Sequence, residues 1–200
     1  MKILLPLDGS GLAESAIPCA QALAQRWQAE LVLVSVTEPF VPIGLGPEPN
    51  LSLQMQDETM AASREYLKSI QQRVDGAVQV KSLHLLGTAR EELAAAAEKE
   101  GCDLIVMASH GRSGPARWLL GSVAESVLRQ ATCPVMLLRA PAPEVGEFSN
   151  ILLPTDGSEA SQRVLTHIAP YLAKSGKVTL LPSTGLSLQD RAQVIDTVAL

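Results

Sequence analysis

Apolar residues in this chain come in short solid runs, separated by stretches where they recur every third or fourth position. The runs predict strands buried on both faces, and the spaced stretches predict amphipathic helices. Lys2 to Leu7 is the first run. Leu12, Ala16, Ala20, Leu23 and Trp27 follow at helical spacing, with Ser10 as N-cap and a kink expected at Pro18. Glu30 to Thr37 is β-branched and apolar on both faces, a second strand. Glu38 to Asn50 holds four prolines and two glycines and predicts a loop. A helix over Leu51 to Val74 and a strand over Ala77 to Leu86 come next. Thr88 to Lys99 predicts a helix opened by a capping box of Thr88 and Glu91. Asp103 to Ala108 is a strand, Ser109 to Leu120 a Gly/Arg loop, Ser122 to Ala131 a helix, and Pro134 to Arg139 a fifth strand.

Strand and helix alternate through this whole stretch. That order predicts an α/β domain with a five-stranded, mostly parallel, doubly wound sheet and helices on both faces. Ala140 to Ser149, APAPEVGEFS, reads as a linker. The pattern then restarts. ILLPLDGS at Ile3 to Ser10 returns as ILLPTDGS at Ile151 to Ser158, with seven of eight letters kept. A strand over Asn150 to Thr155, a helix over Glu159 to Lys174, a strand over Lys177 to Pro182 and a helix over Leu188 to Leu200 make only the opening part of a second unit. The expected division is a complete domain at 1–139, a linker at 140–149 and an incomplete second copy at 150–200.

Composition narrows the function classes. Aromatic residues are 3% of the chain, too few for the stacking platforms that bind single-stranded nucleic acid. The net charge is −5 and the basic residues are scattered, so no nucleic-acid partner is expected. No run reaches the ~18 apolar residues of a membrane span, so no membrane partner is expected either. Cys19, Cys102 and Cys133 lie far apart with no CxxC, which argues against a zinc site and for a reducing, cytoplasmic setting.

In an open parallel sheet, ligands bind beyond the carboxyl ends of the strands, where the strand order reverses. Asp8 ends the first strand and the Gly/Arg loop follows the fourth. If those strands flank the reversal, both face one crevice. Gly111 and Gly114 let backbone approach a ligand closely. Gly121 and Ser122 open a helix whose free N–H groups and positive dipole end favour an anion. With the Arg112 cation and the Ser122 hydroxyl, they can hold a polyphosphate. An aspartate across the crevice suits an adenine amine or a ribose hydroxyl. Neither GxxxxGK[ST] nor GxGxxG after the first strand is present. The plainer alternative for Asp8 is that it organises the turn before the helix, as for Asp156 in the second copy. His110 and Arg117 read as loop residues, and His84 and His167 carry no functional expectation.

The run Ala108-Ser109-His110-Gly111, nine residues, then Gly121-Ser122, flanked by DLIVM and CPVMLL, resembles the universal stress protein family and its G-x2-G-x9-G-[S/T] pattern. Ala108 stands where that pattern has its first glycine. The resemblance implies the adenine nucleotide alpha hydrolase-like form of the fold, and ATP, AMP or ADP with Mg²⁺ as ligand. It implies that Asp8, with Pro6 shaping the turn, contacts the adenosine portion and that the Val36 backbone meets the adenine. It also implies that Met107 and Ala108 line the base and ribose pocket, and that Gly111, Arg112, Gly121, Ser122 and Val123 cradle the phosphates. Tandem members carry two units, and the fifth strand pairs with a counterpart; here that implies a homodimer through residues 135–139. The expected function is nucleotide-dependent regulation of dimerisation or partner binding, without efficient catalysis. The alternatives are a slow ATPase or phosphotransferase, and a nucleotide-free dimerisation module.

Overall fold

The computed structural model describes residues 1–39, 49–74, 76–109, 120–139, 148–155, 158, 164 and 172–182. The chain divides into two units, Met1–Glu144 and Val145–Leu200. In the first, β1 (Lys2–Pro6), β2 (Glu30–Thr37), β3 (Val80–Leu86), β4 (Leu104–Ala108) and β5 (Val135–Leu138) form one sheet in the order β3-β2-β1-β4-β5. Every pairing in it is parallel. The helices are α1 (Gly11–Glu14), α2 (Ile17–Trp27), α3 (Pro49–Arg73), α4 (Ala89–Glu100) and α5 (Ser122–Gln130).

Alternation along the strands sorts the core into two layers. Leu4, Val32, Val34, Ile105 and Met107 share one face with Leu93, Ala96 and Ala97 of α4 and Ala124 and Val127 of α5. Ile3, Leu5, Leu31 and Leu33 occupy the alternate positions, and Leu23 of α2 and Leu67 and Ile70 of α3 are equally buried. The solid apolar runs of β1, β2 and β4 are thus explained: these three inner strands are covered on both sides, while the edge strands β3 and β5 stay half-buried.

The strand order reverses at β1, between β2 on one side and β4 on the other. β1 stays paired with β2 for its full length, from Lys2 against Glu30 to Pro6 against Val34. Its ladder with β4 holds only Ile3 against Leu104 and Leu4 against Ile105. Proline explains the difference. N–H groups alternate between the two neighbours, and the Leu7 N–H donates to the Val34 carbonyl of β2 at 2.8 Å. The Pro6 nitrogen therefore faces β4, and it has no hydrogen to donate. The β1–β4 ladder stops short of their carboxyl ends.

Pro18 acts differently from the expected kink. The helical pattern breaks into α1 and α2, and Pro18 sits in the first turn of α2. A proline N–H is not needed there, whereas mid-helix its ring would meet the Glu14 carbonyl. Ser15 closes α1 instead: its N–H reaches the Gly11 carbonyl and its Oγ donates to the Leu12 carbonyl at 2.7 Å. The Thr88 capping box does not form either. Thr88 is the N-cap of α4 but makes no side-chain capping bond. α3 starts at Pro49, inside the expected loop; residues 40–48 of that loop lie outside the described residues.

In the second unit, β6 (Phe148–Thr155) and β7 (Leu172–Pro182) pair in parallel. β6 takes in the last two residues of the expected linker. Residues 172–174, expected to end a helix, lie in β7, because pairing with β6 overrides local helix propensity. Ile151 pairs with Val178 and Leu153 with Leu180, as Ile3 pairs with Leu31 and Leu5 with Leu33. Leu153 and Val178 are buried together, whereas Leu152 is 60% exposed and Leu181 50%. The remaining residues of the expected 159–174 helix other than Val164, Asp156, and the 188–200 helix lie outside the described residues.

Candidate functional site

The crevice is built from the end of β1. Asp8 follows Leu7 directly, and Gly9 turns the chain at φ 78°, a conformation glycine adopts without strain. One carboxylate oxygen of Asp8, Oδ1, accepts from the Ser10 N–H at 2.9 Å and from the Ser10 hydroxyl at 2.6 Å. Ser10 Oγ then accepts from the Ala13 N–H at 3.2 Å, capping α1. Asp8 therefore organises its own turn while remaining half-buried at the strand end.

The other wall is the end of β4. Counting on from Leu4 against Ile105 brings Leu7 level with Ala108 and Asp8 level with Ser109. Met107, Ala108 and Ser109 are all buried. The Ser109 N–H donates to the Leu138 carbonyl of β5 at 2.8 Å, and the Ser109 carbonyl accepts from the Gly121 N–H at 2.9 Å. That second bond brings the start of α5 to the end of β4. It also uses the Gly121 amide inside the fold, so this N–H does not face a ligand. The first-turn amides of α5, at Ser122, Val123 and Ala124, have no intrahelical acceptor, and among the described residues no side-chain cap bond reaches the helix start. Ser122 is exposed and Val123 half-buried. A helix start of this kind suits an anion.

Val36 is half-buried near the end of β2. Beside it, Thr37 Oγ1 lies 2.9 Å from His84 Nε2, and the Gly87 N–H donates to the Thr37 carbonyl at 3.0 Å. Tyr66 of α3 donates to Glu14 Oε1 at 3.2 Å, and Arg73 pairs with Glu14 Oε2 at 2.8 Å. Burial, and after it the charge of Glu14, push the Tyr66 phenol well above the usual tyrosine range. Tyr66 and Ser109 carry no motif that would have singled them out; their roles come from tertiary pairing. Gly111 and Arg112, with His110, Gly114 and Arg117, lie outside the described residues. No group of three or more His, Cys, Asp or Glu that could hold a metal occurs among the described residues. Among the same residues, no helix is long and apolar enough to cross a membrane.

A parallel sheet whose order reverses at β1, with helices on both faces, defines a doubly wound α/β protein. The model of the universal stress protein family matches residues 1–139, and the chain belongs to that family. It is similar to a universal stress protein of Methanocaldococcus jannaschii, 33% identical over 144 residues that cover 72% of this chain and 84% of the relative. It is similar also to one from Thermus aquaticus, 36% identical over 137 residues, covering 68% and 97% of the two chains. Among solved structures, the universal stress protein UspA from Lactobacillus plantarum matches with a TM-score of 0.63 at 27% identity, over 70% of this chain and 97% of that one.

Proposed function

We propose that the crevice binds an adenine nucleotide, ATP foremost and AMP or ADP with it, and that ligand state regulates association of the chain. One observation carries the reading. Pro6 ends the β1–β4 ladder early, and the bond from Gly121 to Ser109 sets an uncapped helix start beside the gap. In this reading the phosphates sit on the amides of Ser122 and Val123, with Arg112 and Gly111 contributing from the loop. Gly121 serves through its missing side chain rather than its amide. Asp8 and the Val36 backbone meet the nucleoside, and Met107 and Ala108 line its pocket. Mg²⁺ would travel with the phosphates, holding mostly water. The family pattern at Gly111, Gly121 and Ser122 supports the assignment, with Ala108 departing from it.

Association runs through residues 135–139. The outer edge of β5 pairs with no other strand among the described residues, and an open apolar edge invites a second copy. The domain division at 139 and 150 follows the same reading. Three cysteines with no disulfide among them suit a reducing cytoplasm.

Calorimetry on the full chain with ATP, AMP and inorganic triphosphate, followed by light scattering of the same samples, tests this. Asp8→Asn keeps an oxygen for Ser10 but removes the charge. It should weaken ATP about tenfold, the worth of one hydrogen bond to a charged group, and leave triphosphate unchanged. Equal loss for both ligands would assign Asp8 to the turn alone. Heat from none of the three would end the nucleotide reading, and a monomer in every sample would end the dimer.

A further inference from the structure

The feet of β4 and β5, at the end of the sheet opposite the crevice, bring two thiols together. α4 ends on Gly101, whose φ of 65° is the left-handed helix stop. The Gly101 N–H bonds the Glu98 carbonyl and the Cys102 N–H bonds the Ala97 carbonyl at 2.8 Å. This paired closure turns the residue after the glycine back under the helix. Cys102 is accordingly buried in the layer beneath α4 and α5. Cys133 precedes β5, and it packs against that same layer.

Register makes the two neighbours. Ile105 pairs with Val135 across the β4–β5 ladder, and the Ile105 N–H bonds the Pro134 carbonyl at 3.0 Å. Two positions back, Asp103 is level with Cys133, so Cys102 is its diagonal neighbour. Both cysteines precede their strands, and each packs into the same layer beneath α4 and α5. A disulfide needs Cα atoms about 4.4–6.8 Å apart, and two thiols entering one layer at the feet of adjacent strands are placed to meet that requirement.

We propose that Cys102 and Cys133 are a dithiol pair that a hydroperoxide closes to an intramolecular disulfide. Cys133 is the more exposed of the two and reacts first. Its sulfur takes one oxygen from hydrogen peroxide, giving the sulfenic acid and one water. The Cys102 sulfur then attacks that sulfur; the S–S bond forms, and hydroxide leaves with the Cys102 proton as a second water. Two thiols lose two electrons, and one peroxide gains them.

The environment makes the step slow. Burial pushes the Cys102 thiol up to about 11, with Cys133 and the carboxylates of Glu100 and Asp103 adding to the rise and Lys2 opposing it. Burial raises the Cys133 thiol as well. Few thiolates are present near neutral pH, so the bridge accumulates under sustained oxidant. Once formed, it encloses β4, the contact between Ser109 and Gly121, and α5.

The test uses the full reduced wild-type chain. After hydrogen peroxide, quenching and denaturation, maleimide should label one of the three cysteines, Cys19. The mass should be lower by two hydrogens, and digestion should yield the peptide of Cys102 joined to that of Cys133. Dithiothreitol should restore all three labels. In Cys102→Ser the sulfenic acid on Cys133 has no partner, and dimedone should trap it. Three labels after oxidation, labels lost to higher oxides without a bridge, or a bridge through Cys19 or between chains would each overturn the proposal.

Discussion

Ser10 does two jobs at the end of β1. Its N–H and hydroxyl both reach Asp8 Oδ1, and its Oγ caps α1 through Ala13. Ser10→Ala removes the cap and one bond to Asp8 together. Losing a serine N-cap costs about 1 kcal/mol, and denaturant unfolding of Ser10→Ala should show a loss of that order, with Ser10→Thr close to wild type. The cap was legible in the sequence because serine at that position has one common use. The fate of Pro18 was less so: a proline four residues after Glu14 says that the bond to its carbonyl is lost, but not whether the helix bends or restarts. Here the Ser15 hydroxyl, taking the Leu12 carbonyl, settles it as a restart. The Gly121 amide marks the limit of motif reading. The sequence pointed to it as a phosphate donor, and only the fold shows the Ser109 carbonyl taking it.

At the scale of elements, the edge formed by β2 and β3 carries a pH response. His84, level with Ser35, reaches Thr37 diagonally across the ladder, and burial, then the charge of Arg64 on α3, lower its pKa below the ordinary 6.5. The folded chain therefore takes up that proton less readily than the unfolded chain. The stabilisation is complete above about pH 6.5 and is lost as pH falls from there through the lowered folded value. Thermal midpoints followed from about pH 7.5 to about pH 5 should fall more steeply for wild type than for His84→Gln. Strands were the elements most legible in the sequence, since runs such as DLIVMA and ELVLVSVT have no polar side to expose. Helix starts were less legible. Thr88 and Glu91 have capping-box spacing, yet the Thr88 carbonyl alone meets the first turn, accepting from the Glu91 and Glu92 amides.

Across the whole molecule, one sequence stands in two environments. ILLP forms β1, where Leu4 is fully buried under α4 and α5, and recurs in β6, where its counterpart Leu152 is 60% exposed. Leu4→Ala should cost about 3 kcal/mol, as for other large-to-small changes in a packed core. Leu152→Ala should stay within about 0.5 kcal/mol, as exposed positions do. Chemical unfolding of the two variants side by side measures the difference. The alternation of strands and helices made the first unit's architecture legible, but that β1 and β4 flank the reversal was only a condition until the strand order was seen. It could not show where β6 begins or that residues 172–174 join β7, because strand limits there depend on a partner rather than on composition.

The bond from Gly121 to Ser109 clasps both ends of the intervening loop to rigid neighbours, Ser109 through β5 and Gly121 through α5. A span held at its two roots can be exchanged as a cassette. Doubling its length would cost only about 0.6 kcal/mol in closure entropy. Exchanging the segment between these two anchors should therefore leave the pairing of β4 with β5 and the start of α5 in place.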